Sequence, residues 1–216
     1  MRFLSAALGW WLLRVTWGEV HGGTLLALKG RDSVLLAADS RFTSYRTGSF
    51  LLGEFPRLVF CVGSRTLVGC IGLDSDIQSV LEACRERLSS HEDAWVEPQT
   101  VARVVSNILY RTRLYVSPMV VGIDSRTGPY ICSLDGLGAQ TEPEGFAVSG
   151  TANSGLYAIC ESLYEPGLDD EALVAVAERC LTQALQRDVL SGCSVTISLL
   201  KADGSVIKKI LKTNDV

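Results

Sequence analysis

The stretch "HGGTLLALKGRDSVLLAADSR", residues 21–41, holds two apolar runs, "TLLALKG" and "SVLLAADSR", joined through Gly30-Arg31-Asp32. A short polar join of that composition is a tight-turn signal, so the stretch reads as a β-hairpin whose strands are each buried on at least one face. Thr24 stands directly behind two glycines and opens the first run. It is either a nucleophile to be uncovered by cleavage or the β-branched first residue of a strand, and the residues around it favour the second.

Outward from the hairpin the same pattern recurs. "RLVFCVGS" (57–64) and "TLVGCIG" (66–72) form a second pair of apolar runs with a short polar join. The apolar period then lengthens: Ile77, Val80, Leu81, Cys84 and Leu88 fall at three- and four-residue spacings behind Asp74-Ser75, which are placed to cap a helix. Pro98 opens a second helix with the stripe Val101, Val104, Val105, Ile108 and Leu109, and the two helices are expected side by side on one sheet. Strands return in "SPMVVGIDS" and "PYICSLD", joined by Arg126-Thr127-Gly128, and in the shorter "FAVSG". Helices are expected near 153–164 and 169–187, the second starting at "LDDEA" with acids suited to a helix dipole. "CSVTISLLKADGSVIKKILK" closes the chain as a hairpin turning at Asp203-Gly204. Hairpins dominate, so the fold class is α+β: two mainly antiparallel sheets, with a helix pair on each outer face burying every stripe.

The chain has 216 residues, 47% of them hydrophobic and 20% charged, which suits one domain with a large core. A formal charge of −4 without clustered Lys and Arg argues against nucleic-acid binding and against a basic membrane-surface patch. Seven cysteines (61, 70, 84, 132, 160, 180 and 193) lie scattered in apolar runs with no CxxC pair, a pattern of buried reduced thiols. Two histidines, His21 and His91, offer little for a His-based triad or metal site. The acids Asp169, Asp170 and Glu171, like Asp74 and Asp76, read as helix-start charges rather than metal ligands. No metal, phosphate-cradling loop or other cofactor is expected.

"MRFLSAALGWWLLR" at the start has the basic-then-apolar shape of a secretory signal, too short for a transmembrane helix. An odd cysteine count and the lack of an N-x-S/T sequon weigh against export. The expected division is an N-terminal extension, 1–22, and a single domain, 23–216. A secreted globular protein is the rival, and it would lose the leading segment and carry oxidised cysteines.

The phrases "GTLLALKGRDSVLLAADSR", "VVGIDSRTGPYICSLDGLG", "FAVSGT" and "RDVLSG", in that order, resemble the β subunits of the 20S proteasome. The resemblance runs from Gly23 to the end, and "ICSLDGLG", "SGT" and "CESLYEP" are most similar to the type-3 branch. It implies a four-layer αββα sandwich of the N-terminal-nucleophile hydrolase kind. Active members free a threonine whose α-amine serves as base, beside a lysine and an orienting set of aspartates and a serine.

Checked position by position, the catalytic set is degenerate. Asp39 matches the family's first aspartate, and counting back from it puts the nucleophile's place on Gly23, which has no side chain. Thr24 is one residue late, and alternation along a strand would turn its hydroxyl to the other face. The lysine's place falls on Arg57, across a two-residue insertion; a guanidinium stays charged and cannot exchange the proton. Asp188 and Ser191 match the later aspartate and serine, and Thr151 stands near the middle serine, all explained as well by turns that bond nearby backbone.

The resemblance therefore implies a non-catalytic subunit of a threonine endopeptidase complex, with an architectural role in the proteolytic chamber of ATP- and ubiquitin-dependent degradation. Its implied partners are type-2 and type-4 β neighbours, the opposite β ring and the α ring, in cytoplasm and nucleus. Asp135 matches a wall residue of a neighbour's substrate pocket, and a turn-capping role before Gly136 explains it equally well. The alternative is an active threonine protease cleaved between Gly23 and Thr24.

Overall fold

The computed structural model describes residues 20–44, 59–62, 65–88, 96–192 and 194–212. In chain order the elements are β1 (Val20–Gly22), β2 (Thr24–Lys29), β3 (Ser33–Asp39), β4 (Phe42–Ser44), β5 (Val59–Val62) and β6 (Thr66–Leu73). Two helices follow, α1 (Asp74–Leu88) and α2 (Pro98–Thr112), then β7 (Val116–Asp124), β8 (Gly128–Leu134), β9 (Gln140–Thr141) and β10 (Phe146–Gly150). Helices α3 (Asn153–Leu163) and α4 (Asp170–Leu185) lead into β11 (Ser194–Lys201) and β12 (Val206–Lys212).

Every strand pair is antiparallel, and the strands divide into two sheets. One runs β4-β1-β6-β7-β8-β9 with β5 also on β6; the other runs β10-β2-β3-β11-β12. The expected hairpins are all present: β2 with β3, β5 with β6, β7 with β8 and β11 with β12.

Side-chain alternation sorts the core into two layers. On β2 and β3, Leu25, Ala27, Val34, Leu36 and Ala38 face the other sheet and join a cluster that continues through β6, β7 and β8 to α1 and α2. Leu26, Leu28, Leu35 and Ala37 face the opposite way, onto Leu156 and Cys160 of α3 and Leu173, Ala177, Cys180 and Leu181 of α4. Because both faces are covered, these strands read as unbroken apolar runs rather than alternating ones. The result is the four-layer αββα sandwich.

The helices form where their stripes dictate. In α1 the buried residues are Ile77, Val80, Leu81, Cys84 and Leu88. In α2, Pro98 fills the first turn, where its missing N–H costs nothing, and Val101, Val105, Ile108 and Leu109 are buried, with Val104 partly so. Asp169 caps α4 by accepting from the Ala172 N–H at 2.9 Å, and Asp170 and Glu171 occupy the first turn. Asp170 also pairs with Lys201 at 2.9 Å. Among the described residues no group of three or more His, Cys, Asp or Glu could hold a metal ion, and no helix is long and apolar enough to cross a membrane. Cys70, Cys84, Cys132, Cys160 and Cys180 are free and buried.

Three short strands have no counterpart in the expected pattern: β1, β4 and β9. Strand β1 lies within residues 1–22, the stretch expected as an extension, yet it pairs with β4 on one side and β6 on the other. The chain thus enters through the first sheet and crosses to the second at Gly23.

Candidate functional site

The crossing at Gly23 organises the site. Gly23 adopts φ 95°, a left-handed conformation natural to glycine, and links the last residue of β1 to the first of β2 in the other sheet. Its carbonyl accepts from the Thr151 N–H at 3.3 Å. Gly150 closes over it: a Cβ there would sit 2.2 Å from the Gly23 carbonyl oxygen and 2.8 Å from the Thr24 Cα, and φ is +110°.

Thr24 is fully buried. Its backbone N–H donates to Asp39 Oδ1 at 2.7 Å, and its hydroxyl oxygen accepts from the Ala152 N–H at 3.3 Å. Thr24 shares strand parity with Leu26 and Leu28, so its side chain lies on the helix-covered face of the sheet, as alternation predicts.

Asp39 ends β3 and is buried to 1% exposure. Its second oxygen, Oδ2, accepts from the Gly192 N–H at 2.9 Å, so one carboxylate ties the start of β2 to the loop before β11. Burial pushes its pKa up from 3.8 to about 7, against the two N–H bonds from Thr24 and Gly192 that favour the charged form. The Asp188 charge adds to the rise, and the Arg41 guanidinium opposes it.

The loop itself is held by Asp188. Oδ2 accepts from the hydroxyls of Ser191 at 2.5 Å and Thr151 at 2.7 Å, and Oδ1 from the Leu190 N–H at 3.0 Å. Arg41 Nη1 donates to the carbonyls of Val189 and Ser191 at 3.1 and 3.3 Å. Gly23, Thr24, Asp39, Thr151, Asp188 and Ser191 are thus joined through one hydrogen-bonded junction; Arg57 lies outside the described residues.

That junction contains three hydroxyls, of Thr24, Thr151 and Ser191, and each is already hydrogen-bonded, Thr151 by donating to Asp188. Ser191 is fully buried and spends its proton on Asp188, while the Thr24 hydroxyl oxygen is engaged by a backbone donor. The Thr24 nitrogen that a threonine nucleophile would use as base is a peptide N–H, already donated to Asp39.

Three parts of the junction carried little sequence signal. The donors Ala152 N–H and Gly192 N–H are backbone groups, blind to residue type. Arg41 was visible in "AADSR", but nothing local says that it clamps carbonyls at 189 and 191.

Asp135 sits apart, at the end of β8. It is exposed, and its Oδ1 accepts from the Leu137 and Ala139 N–H groups at 2.9 and 2.8 Å. The turn-capping role is therefore present.

Comparison with known proteins agrees with this architecture. Residues 19–200 match the family model described as proteasome subunit, and the chain belongs to that family. Within it the chain is similar to the probable proteasome subunit beta type-3 of Schizosaccharomyces pombe, 35% identical over 200 residues that cover 90% of this chain and 96% of the relative. It is likewise similar to proteasome subunit beta type-3 of Saccharomyces cerevisiae, 36% identical over 201 residues with 90% and 96% covered. The Drosophila melanogaster beta type-3 subunit is 31% identical over 200 residues, with 89% and 96% covered.

Proposed function

We propose that this chain is a non-catalytic β subunit of the proteasome core, and that its work is to form the β ring and the wall of the chamber. One observation carries the reading: the residue in the nucleophile's place is Gly23, and the chain runs on through it into β1. A free α-amine at residue 24 would require breaking the crossing between the two sheets. It would also leave β1, paired on both sides, as a detached peptide.

A subunit of this kind is buried against several neighbours in an obligate, symmetric assembly. Its side neighbours in this reading are type-2 and type-4 β subunits, with the opposite β ring and the α ring completing the contacts, in cytoplasm and nucleus. Asp135 supports a further role as part of a neighbour's substrate pocket. Its Oδ1 holds the turn, and Oδ2 makes no hydrogen bond among the described residues, so one carboxylate can cap the turn and still attract a basic substrate side chain. Asp135→Asn in the assembled particle is expected to slow cleavage after basic residues and leave other cleavages unchanged.

The test of the main reading is peptide mass spectrometry on the chain taken from the assembled particle, after treatment with a covalent threonine-directed inhibitor. The expected result is an unbroken peptide spanning Gly22, Gly23 and Thr24 with no adduct. An inhibitor bonded to Thr24, or a chain beginning at Thr24, would establish the active-protease alternative instead.

A further inference from the structure

We infer that Cys160 of α3 and Cys180 of α4 are a modification site for hydrogen peroxide, a thiol pair that closes into a disulfide and staples the two helices together. Both are free cysteines, fully buried in the apolar cluster between the second sheet and its helices. The reaction needs no partner subunit.

Helix periodicity puts the two thiols face to face. On α3 the buried residues are Leu156 and Cys160, four apart on one stripe, with Ile159 and Leu163 partly buried beside them. On α4 the buried stripe runs through Leu173, Ala177, Cys180, Leu181 and Ala184. Alanines stand one turn before and one turn after Cys180, so no bulky side chain holds the helices apart there. The two side chains already meet in a thiol–thiol hydrogen bond. A disulfide between such neighbours asks for little movement of the backbone.

The pair is chemically asymmetric. Cys180 is held below the ordinary thiol range by the hydrogen bond from Cys160, against burial and with help from the Arg179 charge. Cys160 is raised by that same hydrogen bond and by burial. Cys180 is therefore the sulfur that reacts first, as a thiolate. It attacks one oxygen of the peroxide and the O–O bond breaks, which leaves a sulfenic acid on Cys180 and a hydroxide that takes the thiol's proton and departs as water. The Cys160 sulfur, giving up its proton, then attacks the Cys180 sulfur; the S–O bond breaks and a second water leaves. Two thiols lose two electrons between them, and one peroxide is reduced to two waters.

The oxidant reaches the pair when α3 opens. This helix has 11 residues, includes Gly155, and starts at Ala152 with no side-chain cap. Helix α4 has 16 residues, is capped by Asp169 and buries Leu173, Ala177, Cys180, Leu181, Ala184 and Leu185. A short uncapped helix with few buried side chains opens locally while its longer neighbour stays folded. Once formed, the bond resists the opening that admitted the peroxide. Ala152 at the start of α3 holds the Thr24 hydroxyl, and α4 leads to Asp188, which holds Thr151, so the staple also stiffens the frame around Gly23.

The test treats the full chain, in its native assembly, with dilute hydrogen peroxide, blocks the remaining thiols with N-ethylmaleimide in denaturant, and digests without reduction. Trypsin with a glutamate-specific protease puts Cys160 in residues 145–161 and Cys180 in residues 180–187. The expected result is these two peptides linked, and separated again by dithiothreitol. Cys70 and Cys84, both raised by burial and Cys84 to about 11, are expected to be recovered as blocked thiols. Amide hydrogen exchange over α3 should slow about a hundredfold on oxidation. In Cys160→Ala the Cys180 sulfenic acid has no thiol to condense with and should be trapped by dimedone. Unlinked peptides after peroxide, or a link that appears only in denaturant or only together with oxidation of Cys70 and Cys84, overturn the pair. So do unchanged exchange over α3 and a Cys160→Ala chain without the dimedone adduct on Cys180.

Discussion

Replacing Asp39 with Asn tests what the junction costs. Asp39 is 1% exposed and its pKa is pushed up to about 7 from 3.8. The folded chain therefore binds a proton more tightly than the unfolded chain. Between about pH 4 and pH 7 the native state holds more protons, so stability contributed by the neutral acid is complete below pH 4 and is lost as pH rises toward 7. The full loss is about 4 kcal/mol, from about 1.4 kcal/mol for each tenfold change in proton affinity.

Asparagine is the neutral form of the same shape. Its carbonyl still accepts one of the two N–H groups of Thr24 and Gly192, but its NH2 is donor-only and leaves the other unmet, whereas a protonated acid keeps acceptor capacity on both oxygens. The variant is therefore expected to be less stable than the parent by about 1–3 kcal/mol at pH 4, where the unmet donor acts alone, and to recover up to about 4 kcal/mol relative to the parent by pH 8. Urea unfolding followed by far-ultraviolet circular dichroism at a series of pH values measures the difference directly. Carboxyls with depressed pKa, such as Asp124 and Asp170, contribute equally to both proteins and cancel. If the difference between the two proteins does not move in the variant's favour between pH 4 and pH 8, the N–H bonds outweigh desolvation and the reasoning is wrong.

Gly150→Ala should be among the most damaging single-methyl changes, because the Cβ would meet backbone atoms at 2.2 and 2.8 Å in a left-handed conformation; a loss of roughly 3–5 kcal/mol is expected in urea unfolding. Gly155→Ala in α3 meets nothing within 4 Å and is the control, expected to gain up to about 1 kcal/mol from helix propensity in the same measurement. Thr24→Val keeps the strand's shape and loses only the acceptor for the Ala152 N–H, so melting should fall by the few degrees that about 1 kcal/mol brings, with peptide cleavage by the assembled particle unaltered. Ser191→Ala removes the 2.5 Å hydroxyl donor to Asp188, which keeps Thr151 and the Leu190 N–H; about 1.5–3 kcal/mol is expected from the denaturant midpoint.

The elements legible in the sequence are those long enough to show a period. Helix α1 was visible as Ile77, Val80, Leu81, Cys84 and Leu88, all of them buried, and the β2–β3 hairpin from two apolar runs about a polar join. Strands β1, β4 and β9 span two or three residues and carry no period; their pairing is imposed by distant partners, as where His21 meets Leu73 and Gly22 meets Gly72. For the site, the order of short phrases brought Gly23, Asp39, Thr151, Asp188 and Ser191 to attention, and these positions do converge. What the residues do there was not legible. Their partners are mostly backbone N–H groups from residues 24, 152, 190 and 192, and a backbone donor leaves no trace in residue type.

Those backbone partners give Asp39 and Asp188 a structural role that needs no catalysis. Asp39 and Asp188 are acids that are costly to bury or half-bury. Yet each closes part of the junction: Asp39 joins the entrance of β2 to the loop before β11, and Asp188 ties that loop to Thr151 beside Gly23. Removing either leaves two or more donors without an acceptor at a place where the chain passes between sheets, and an unmet buried donor costs about 1–3 kcal/mol. The polar residues around Gly23 are held by the crossing itself, whether or not a bond is ever cut there.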